Sequence, residues 1–199
     1  MSDSDRAKWD RRYAAPGLQM GERAKPVLRD WAHHLPRAGA ALDLACGEGQ
    51  AALLLARRGL AVDAVDVSRV ALAKARAHAD EAGPELSARI RLIAWDLDEG
   101  LPPECGGPYA VLTAIHFRDP ALLTAAIEGH LSHGGWLLTE VLAAAPDADP
   151  HPFRAPPGEL LDLARATALQ VQAHAVVQTD HGAVARLLAR RPAAGTVAP

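Results

Sequence analysis

Two glycines and two acidic residues early in the chain have the types and spacing of a ligand-binding site. Gly47 and Gly49 form a G-x-G turn between an apolar segment and a leucine-rich helix. Glycines let the backbone approach a ligand closely, and the start of a helix offers unpaired N–H groups. Asp43 lies inside the first strand, where a buried carboxylate is costly unless something pairs with it. Asp66 ends the next strand, where a ribose-binding carboxylate lies in a βαβ unit.

The elements that would position these residues alternate along the chain. Strands are predicted at 41–45, 61–65, 88–94, 109–115 and 136–142, and helices at 50–58, 68–83 and 119–131. Ser68 and Asp119 are predicted helix caps. Gly83-Pro84 and Gly134-Gly135 are predicted breaks between elements. Strands that alternate with helices indicate a parallel sheet with helices on both faces.

Two segments before this core form a predicted leader, residues 1–34. Ser4 or Asp5 could cap a short helix that carries Trp9 and Tyr13 on one face. A second helix is predicted from about Glu22 to Leu35. The leader is either a terminus with one packed helix or a lid that closes over a site.

The core domain is predicted to span residues 35–191, with a composition change at Ala143. The proline-rich segment 143–157 should be a loop or flap, followed by a helix at 158–167. The last strands, 169–177 and 184–190, flank Asp180-His181-Gly182 and should form an antiparallel hairpin. Residues 192–199 are a predicted disordered tail. The fold class is therefore α/β, a three-layer α/β/α Rossmann-like sandwich with a seven-stranded, mostly parallel sheet and an antiparallel hairpin at the carboxyl end.

Composition narrows the classes of function. The 199 residues suit one domain, and 49% hydrophobic and 23% charged residues are ordinary globular values. The net charge of −3 without a basic stripe argues against a nucleic-acid partner. No apolar run approaches the roughly 18 residues of a membrane span. Cys46 and Cys105, without a signal peptide, favour a reduced cytoplasmic interior.

The run Leu42-Asp43-Leu44-Ala45-Cys46-Gly47-Glu48-Gly49 resembles motif I of the class I S-adenosylmethionine-dependent methyltransferases. Val65 to Ser68, Asp96-Leu97 and the closing hairpin lie where that family has its next signatures. The leader run Trp9-Asp10-Arg11-Arg12-Tyr13 resembles small bacterial members related to the tellurite-resistance and thiopurine methyltransferases. One departure is Ala45, where the family more often has glycine.

The resemblance implies a set of residues that bind S-adenosylmethionine. Asp43 would hold the methionine end, Asp66 both ribose hydroxyls and Asp96 the adenine amino group. The full set is Asp43, Ala45, Cys46, Gly47, Gly49, Asp66, Val67, Asp96, Leu97 and Ile115. Asp98 and Glu99 crowd Asp96, and the alternative is that any of these three carboxylates is solvated. A nucleophilic role for Cys46 is disfavoured.

The resemblance places the end of strand four beside the methyl group to be transferred. A general base is needed only if the acceptor arrives protonated, and His116 is then the candidate catalytic residue. The alternative is a surface histidine. The leader, strand ends and proline-rich segment supply the candidate acceptor pocket, which comprises Tyr13, Phe117, Arg118, Glu140, Phe153 and Arg154.

The predicted activity is methyl transfer to a small-molecule acceptor, a thiol, chalcogen oxyanion, amine or hydroxyl, because no added domain or basic extension surrounds the core. No metal is predicted, since no carboxylate or cysteine set completes the histidine pairs 33–34 and 130/133. The protein is expected to be a monomer or a homodimer. Two alternatives remain: a non-catalytic cofactor-binding regulator, and an NAD(P)-dependent dehydrogenase, because residues 47–52 also satisfy G-x-G-x-x-A.

Overall fold

A computed structural model describes residues 3–19, 21, 24–146, 149, 151–180 and 182–195. The predicted helix start at Glu22, the hairpin residue His181 and the tail residues 196–199 lie outside the described residues. The chain divides into two compact units, residues 1–106 and 107–199, and each is described by itself.

The first unit contains three parallel strands in the order β3-β2-β1. Asp43 is opposite Ala64, and Asp66 is opposite Ala94. The carboxyl ends of these strands therefore lie at one edge. The elements are α1 (Asp3–Tyr13), α2 (Pro26–Trp31), a 3-10 turn (Ala32–His34), β1 (Ala40–Leu44), α3 (Gln50–Arg57), β2 (Ala61–Asp66), α4 (Arg69–Glu81), α5 (Pro84–Ser87), β3 (Ile90–Ala94) and a 3-10 turn (Leu97–Glu99).

The second unit carries strands in the order β4-β5-β8-β7. Strands β4 and β5 are parallel, whereas β8 runs antiparallel to both β5 and β7. The predicted α/β class, with mostly parallel strands and an antiparallel pair at the carboxyl end, is confirmed. The elements are β4 (Tyr109–Ile115), α6 (Pro120–His130), β5 (Leu131–Ala143), β6 (Arg154–Ala155), α7 (Glu159–Ala166), β7 (Gln170–Thr179) and β8 (Gly182–Arg190).

Buried leucines form the core of each unit. Leu42, Leu44 and Leu55 are fully buried in the first, and Leu137 and Leu187 in the second. Burial of such a side chain contributes about 1.5–3 kcal/mol.

The predicted caps position two of the helices. The Ser68 hydroxyl accepts from the Ala71 N–H at 3.1 Å, and the Asp119 carboxylate accepts from the Leu122 N–H at 2.9 Å. Each cap satisfies a backbone donor that the helix itself leaves unpaired.

Several predicted boundaries in the first unit are wrong. Helix α1 begins at Asp3, so Ser4 and Asp5 lie inside it and do not precede it as caps. The predicted second helix is divided into α2 and a 3-10 turn. Pro84 begins α5, which delays strand three to Ile90. Proline suits the first position of a helix, because no intrahelical partner is lost there.

Two boundaries in the second unit also differ, because pairing extends beyond the local pattern. Strand β5 already begins at Leu131, so Gly134 and Gly135 lie within it. The Gly134 N–H donates to the Arg191 carbonyl, and the Arg191 N–H donates to the Gly135 carbonyl. In the proline-rich segment the short strand β6 pairs with the end of β5, so the described residues form eight strands and the predicted number of seven is wrong. The Ala144 N–H donates to the Ala155 carbonyl there, at 2.8 Å.

Candidate functional site

The turn that follows β1 adopts a left-handed backbone. The φ angle is 52° at Ala45, 53° at Gly47 and 79° at Gly49. A Cβ at Gly49 would lie 2.9 Å from Cβ of Ala75 on α4. Glycine is therefore required at position 49 by both its backbone and its packing. The turn is attached to β2 by the Cys46 N–H, which donates to the Val65 carbonyl at 2.9 Å.

Asp66, at the end of β2, is directed at this turn. Its Oδ2 accepts from the Gly47 N–H and its Oδ1 from the Ser68 N–H, each at 2.8 Å. Burial raises the pKa of the carboxyl, although the backbone N–H groups of Ser68 and Gly47 act in the opposite direction. Each carboxylate oxygen has about two lone-pair sites, so both retain capacity for a further donor such as a hydroxyl.

Asp43 and Cys46 are both buried near the same turn, with relative exposures of 1% and 8%. Burial raises the pKa of the Cys46 thiol, and the carboxylates of Asp66 and Asp43 raise it further. A thiol held in its protonated form is a poor nucleophile. This agrees with a backbone role for Cys46.

The segment after β3 distinguishes Asp96 from its acidic neighbours. Asp96 and Leu97 are buried, whereas Asp98 and Glu99 are exposed. The Asp96 carboxylate accepts from the Asp98 N–H at 3.1 Å and so caps the short turn. Val67, after Asp66, is also buried. The structure therefore brings the predicted residues of the first unit together at the carboxyl edge of β1, β2 and β3.

The leader helix packs against the same edge. A Cβ at Gly47 would lie 2.9 Å from the Tyr13 hydroxyl, and the Trp9 and Tyr13 rings stack with centroids 6.0 Å apart. Burial, followed by the carboxylates of Asp66 and Glu48, raises the pKa of Tyr13 far above its ordinary value. Tyr13 is thus a neutral hydroxyl beside the turn.

Two sets of polar contacts that the sequence analysis did not predict, from Ser68 and from Lys74, hold the leader in place. The Ser68 hydroxyl donates to Oδ1 of Asp10 at 2.6 Å. Lys74 Nζ donates to the carbonyls of Ala15 and Gly17, each at 2.6 Å, and lies 3.5 Å from Oε1 of Glu48. The sequence offers one hint of these contacts: Glu48 is a charged residue between the two glycines of the turn, where it needs a partner.

In the second unit, His116 follows β4 with a φ of 60°. Its Nε2 lies 2.8 Å from Oε1 of Glu140, which is 2% exposed. Arg186 on β8 donates through Nε to Oε2 of the same carboxylate at 2.7 Å. Burial would raise the pKa of Glu140, but hydrogen bonds from His116 and Arg186 outweigh burial and lower it. Arg186 was not predicted, although it is a charged residue within an apolar strand.

The other candidates for the acceptor pocket also lie in the second unit, apart from Tyr13. Arg118 donates to both carboxylate oxygens of Glu159 and to the Pro152 carbonyl. With Phe117 it lines a shallow, open depression. Arg154 donates to the Ala143 carbonyl, and Phe153 is 49% exposed. Arg118 and Arg154 therefore have structural partners in this state.

Two absences concern only the described part of the chain. No cluster of three or more His, Cys, Asp or Glu side chains suitable for a metal ion occurs among the described residues. Over the same residues, no helix combines the length and apolar character needed to cross a bilayer.

Comparison with known proteins defines the class. Residues 41–135 match a family model described as a methyltransferase domain. Two solved structures share the fold. A magnesium protoporphyrin IX methyltransferase from Synechocystis PCC 6803, with bound SAH, has a TM-score of 0.68 and 15% identity, over 95% of this chain and 98% of that chain. TehB from Haemophilus influenzae has a TM-score of 0.67 and 18% identity, over 94% and 66%. The matched domain and this fold are those of the class I S-adenosylmethionine-dependent methyltransferases.

A relative identified by sequence adds detail. The ubiquinone biosynthesis O-methyltransferase of Azotobacter vinelandii is 31% identical over 146 residues, which are 70% of this chain and 60% of that protein. The chain spans about half the length of the curated relatives it matches. These matches support the predicted methyltransferase over the dehydrogenase alternative.

The residues of the first unit fit the cofactor of this family, S-adenosylmethionine. Asp66 retains acceptor capacity for a ribose diol. Gly47 has no Cβ, so its side chain does not obstruct a ligand that approaches the turn. The buried Asp96 supplies a carboxylate at the same edge.

Proposed function

We propose that the protein transfers a methyl group from S-adenosylmethionine to a small-molecule acceptor. The observation that carries this proposal is the Asp66 carboxylate, which engages the Gly47 N–H in a chain with a methyltransferase domain. When bound, S-adenosylmethionine supplies a methyl group already activated on a sulfonium.

The proposed cofactor roles follow the motif positions. Asp66 accepts the ribose hydroxyls, Asp43 holds the methionine end and Asp96 accepts the adenine amino group. Backbone or apolar contacts come from Ala45, Cys46, Gly47, Gly49, Val67, Leu97 and Ile115. Orientation and exclusion of water are the main tasks of these residues, and correct positioning can supply roughly 7–11 kcal/mol of the barrier.

His116 is the proposed general base, and the acceptor is a small molecule rather than a nucleic acid. The net charge of −3 supports this, because phosphate backbones are bound by basic surfaces. Cys46 and Cys105 are buried and are not joined in a disulfide, which supports a cytoplasmic location. We propose a monomer or homodimer, which light scattering can distinguish.

Titration calorimetry tests the donor side. We expect the chain to bind S-adenosylmethionine and not NADH, and Asp66→Ala to lose most of that affinity. Asp63→Ala is the matched control, since Asp63 lies on the same strand but pairs with Arg91 at the surface. Tight NADH binding without a response to S-adenosylmethionine, or full affinity in Asp66→Ala, would contradict the assignment.

Transfer of a labelled methyl group to a panel of phenols, thiols, amines and oxyanions tests the reaction itself. We expect turnover with at least one class. Tight cofactor binding without any acceptor turnover would favour the non-catalytic regulator instead.

A further inference from the structure

His116 is attached to Glu140 at two points. The His116 N–H donates to the Glu140 carbonyl at 2.7 Å, and the imidazole Nε2 lies 2.8 Å from the Glu140 carboxylate. Together they hold a non-glycine residue at a φ of 60°, a conformation that costs about 1–3 kcal/mol and persists only where the surroundings enforce it.

Arg186 completes the arrangement from the opposite side. Glu140 on β5 and Arg186 on β8 lie directly opposite each other in the sheet. The guanidinium donates to Oε2 of Glu140, whereas His116 contacts Oε1. The Arg186 side chain is 11% exposed, and that of Glu140 is 3% exposed. A carboxylate so buried needs both donors to remain ionised, since an uncompensated buried charge is costly.

The ionised carboxylate determines which imidazole nitrogen carries the proton. A carboxylate only accepts hydrogen bonds, so the neutral ring must place its proton on Nε2. The lone pair is then on Nδ1, for which the described residues offer no hydrogen-bond partner. The His116 side chain is 32% exposed, so the ring remains accessible.

We propose that Glu140 and Arg186 are positioning residues that hold His116 with Nδ1 as the proton acceptor. The methyl acceptor is therefore a neutral hydroxyl, which must lose its proton during the transfer. This rests on the proposed function and specifies its substrate class. Oxyanions and thiolates carry a free electron pair at neutral pH and would gain nothing from a base held in this way.

The resulting step is balanced. The acceptor O–H bond breaks and its proton passes to Nδ1, while the oxygen forms a bond to the methyl carbon. The methyl–sulfur bond breaks, and its electron pair stays on sulfur. The imidazolium that results is stabilised by Glu140, whose charge Arg186 preserves.

Nitrogen-detected NMR of the histidine side chains in the full chain tests the tautomer without any turnover. We expect the neutral His116 ring, assigned by its loss in His116→Gln, to carry its proton on Nε2. Glu140→Gln and Arg186→Met should each mix the two tautomers, and Arg186→Lys should restore the original one. An unchanged tautomer in Glu140→Gln and Arg186→Met would overturn the inference.

Kinetics with two phenols tests the substrate class. With a phenol of pKa about 10, Glu140→Gln should lower kcat at least tenfold, within the 10²–10⁴-fold that loss of the base itself costs. With a nitrophenol already ionised at neutral pH, the same variant should lose at least tenfold less of its kcat than it loses with the first phenol. Equal losses with both phenols would indicate a merely structural role and contradict the inference.

Arg190→Met is the matched control, since Arg190 lies on the same strand and stacks on Trp136. The two proposals fail separately. Full activity of His116→Gln would refute the general base of the proposed function. Loss of activity in His116→Gln, with Glu140→Gln unchanged in tautomer and rate, would refute only the role of Glu140 and Arg186.

Discussion

At the scale of single residues, two non-glycine residues with predicted functional roles have a left-handed backbone. Ala45 has a φ of 52° at a position where the family more often has glycine, and His116 has a φ of 60°. The strain at His116 is held by its two attachments to Glu140. Ala45 has no comparable side-chain anchor, because a methyl group forms no hydrogen bonds.

Ala45→Gly should therefore stabilise the protein. Relief of left-handed strain raises the free energy of unfolding by about 1–2 kcal/mol. The greater flexibility of glycine in the unfolded chain lowers it by about 0.4–1 kcal/mol. The expected gain in free energy of unfolding is roughly 0.5–1 kcal/mol, measured by urea denaturation. Ala41→Gly, at a fully buried position of β1, is the control and should destabilise. A loss of stability in Ala45→Gly would show that the methyl group contributes packing that outweighs the strain.

Glu140 predicts a pH dependence of stability with a definite sign. Its pKa in the folded chain is lowered from 4.5, so its contribution is present above that value and is lost as the pH falls through the lowered pKa. The difference in unfolding free energy between the natural protein and Glu140→Gln should be large at neutral pH. It should shrink below about pH 4. A difference that grows on acidification would contradict the ion-pair assignment.

At the scale of elements, a lysine on α4 ties the segment after α1 to the first unit. Lys74 on α4 holds the carbonyls of Ala15 and Gly17, while Glu48 accepts from the Gln19 N–H at 2.9 Å. This shows a packed leader in the first unit. Its role as a lid stays a prediction.

Lys74→Met should loosen the segment that follows α1. The variant removes both carbonyl contacts and leaves Glu48, which is 0% exposed, without the lysine charge. Hydrogen exchange in peptides from residues 5–19 should become faster, with little change in β1 or β2. Arg69→Met, an exposed position on the same helix, is the control and should exchange like the natural protein. Equal exchange in both variants would refute the role of Lys74.

At the scale of the whole molecule, binding and stability are linked. A ligand that binds only the folded state at 100 times its Kd adds about 2.7 kcal/mol to the free energy of unfolding. S-adenosylmethionine at that ratio should therefore raise the Tm, and NADH should leave it unchanged. Asp66→Ala should lose the shift at the same concentration, whereas Asp63→Ala should keep it. A shift of equal size in Asp66→Ala would contradict the ribose assignment.

The geometry of the candidate donor site was predictable from the sequence because its residues follow a local rule. The turn after β1 and the carboxylate at the end of β2 have spacings along the chain that one strand–helix–strand unit dictates. The caps Ser68 and Asp119 were predictable for the same reason. Strand β5 and the short strand β6 were not, because their limits depend on distant pairing partners.

The contacts of the candidate acceptor residues were decided only by the tertiary structure. His116 and Glu140 were identified separately, as a candidate base and a pocket residue, while Arg186 was missed. Glu140 meets Arg186 through the register of β5 and β8, and Lys74 reaches the leader across 59 residues of sequence. Sheet register and long-range packing depend on contacts between segments that are far apart in the chain. A single sequence therefore specifies the types of these residues but not their partners.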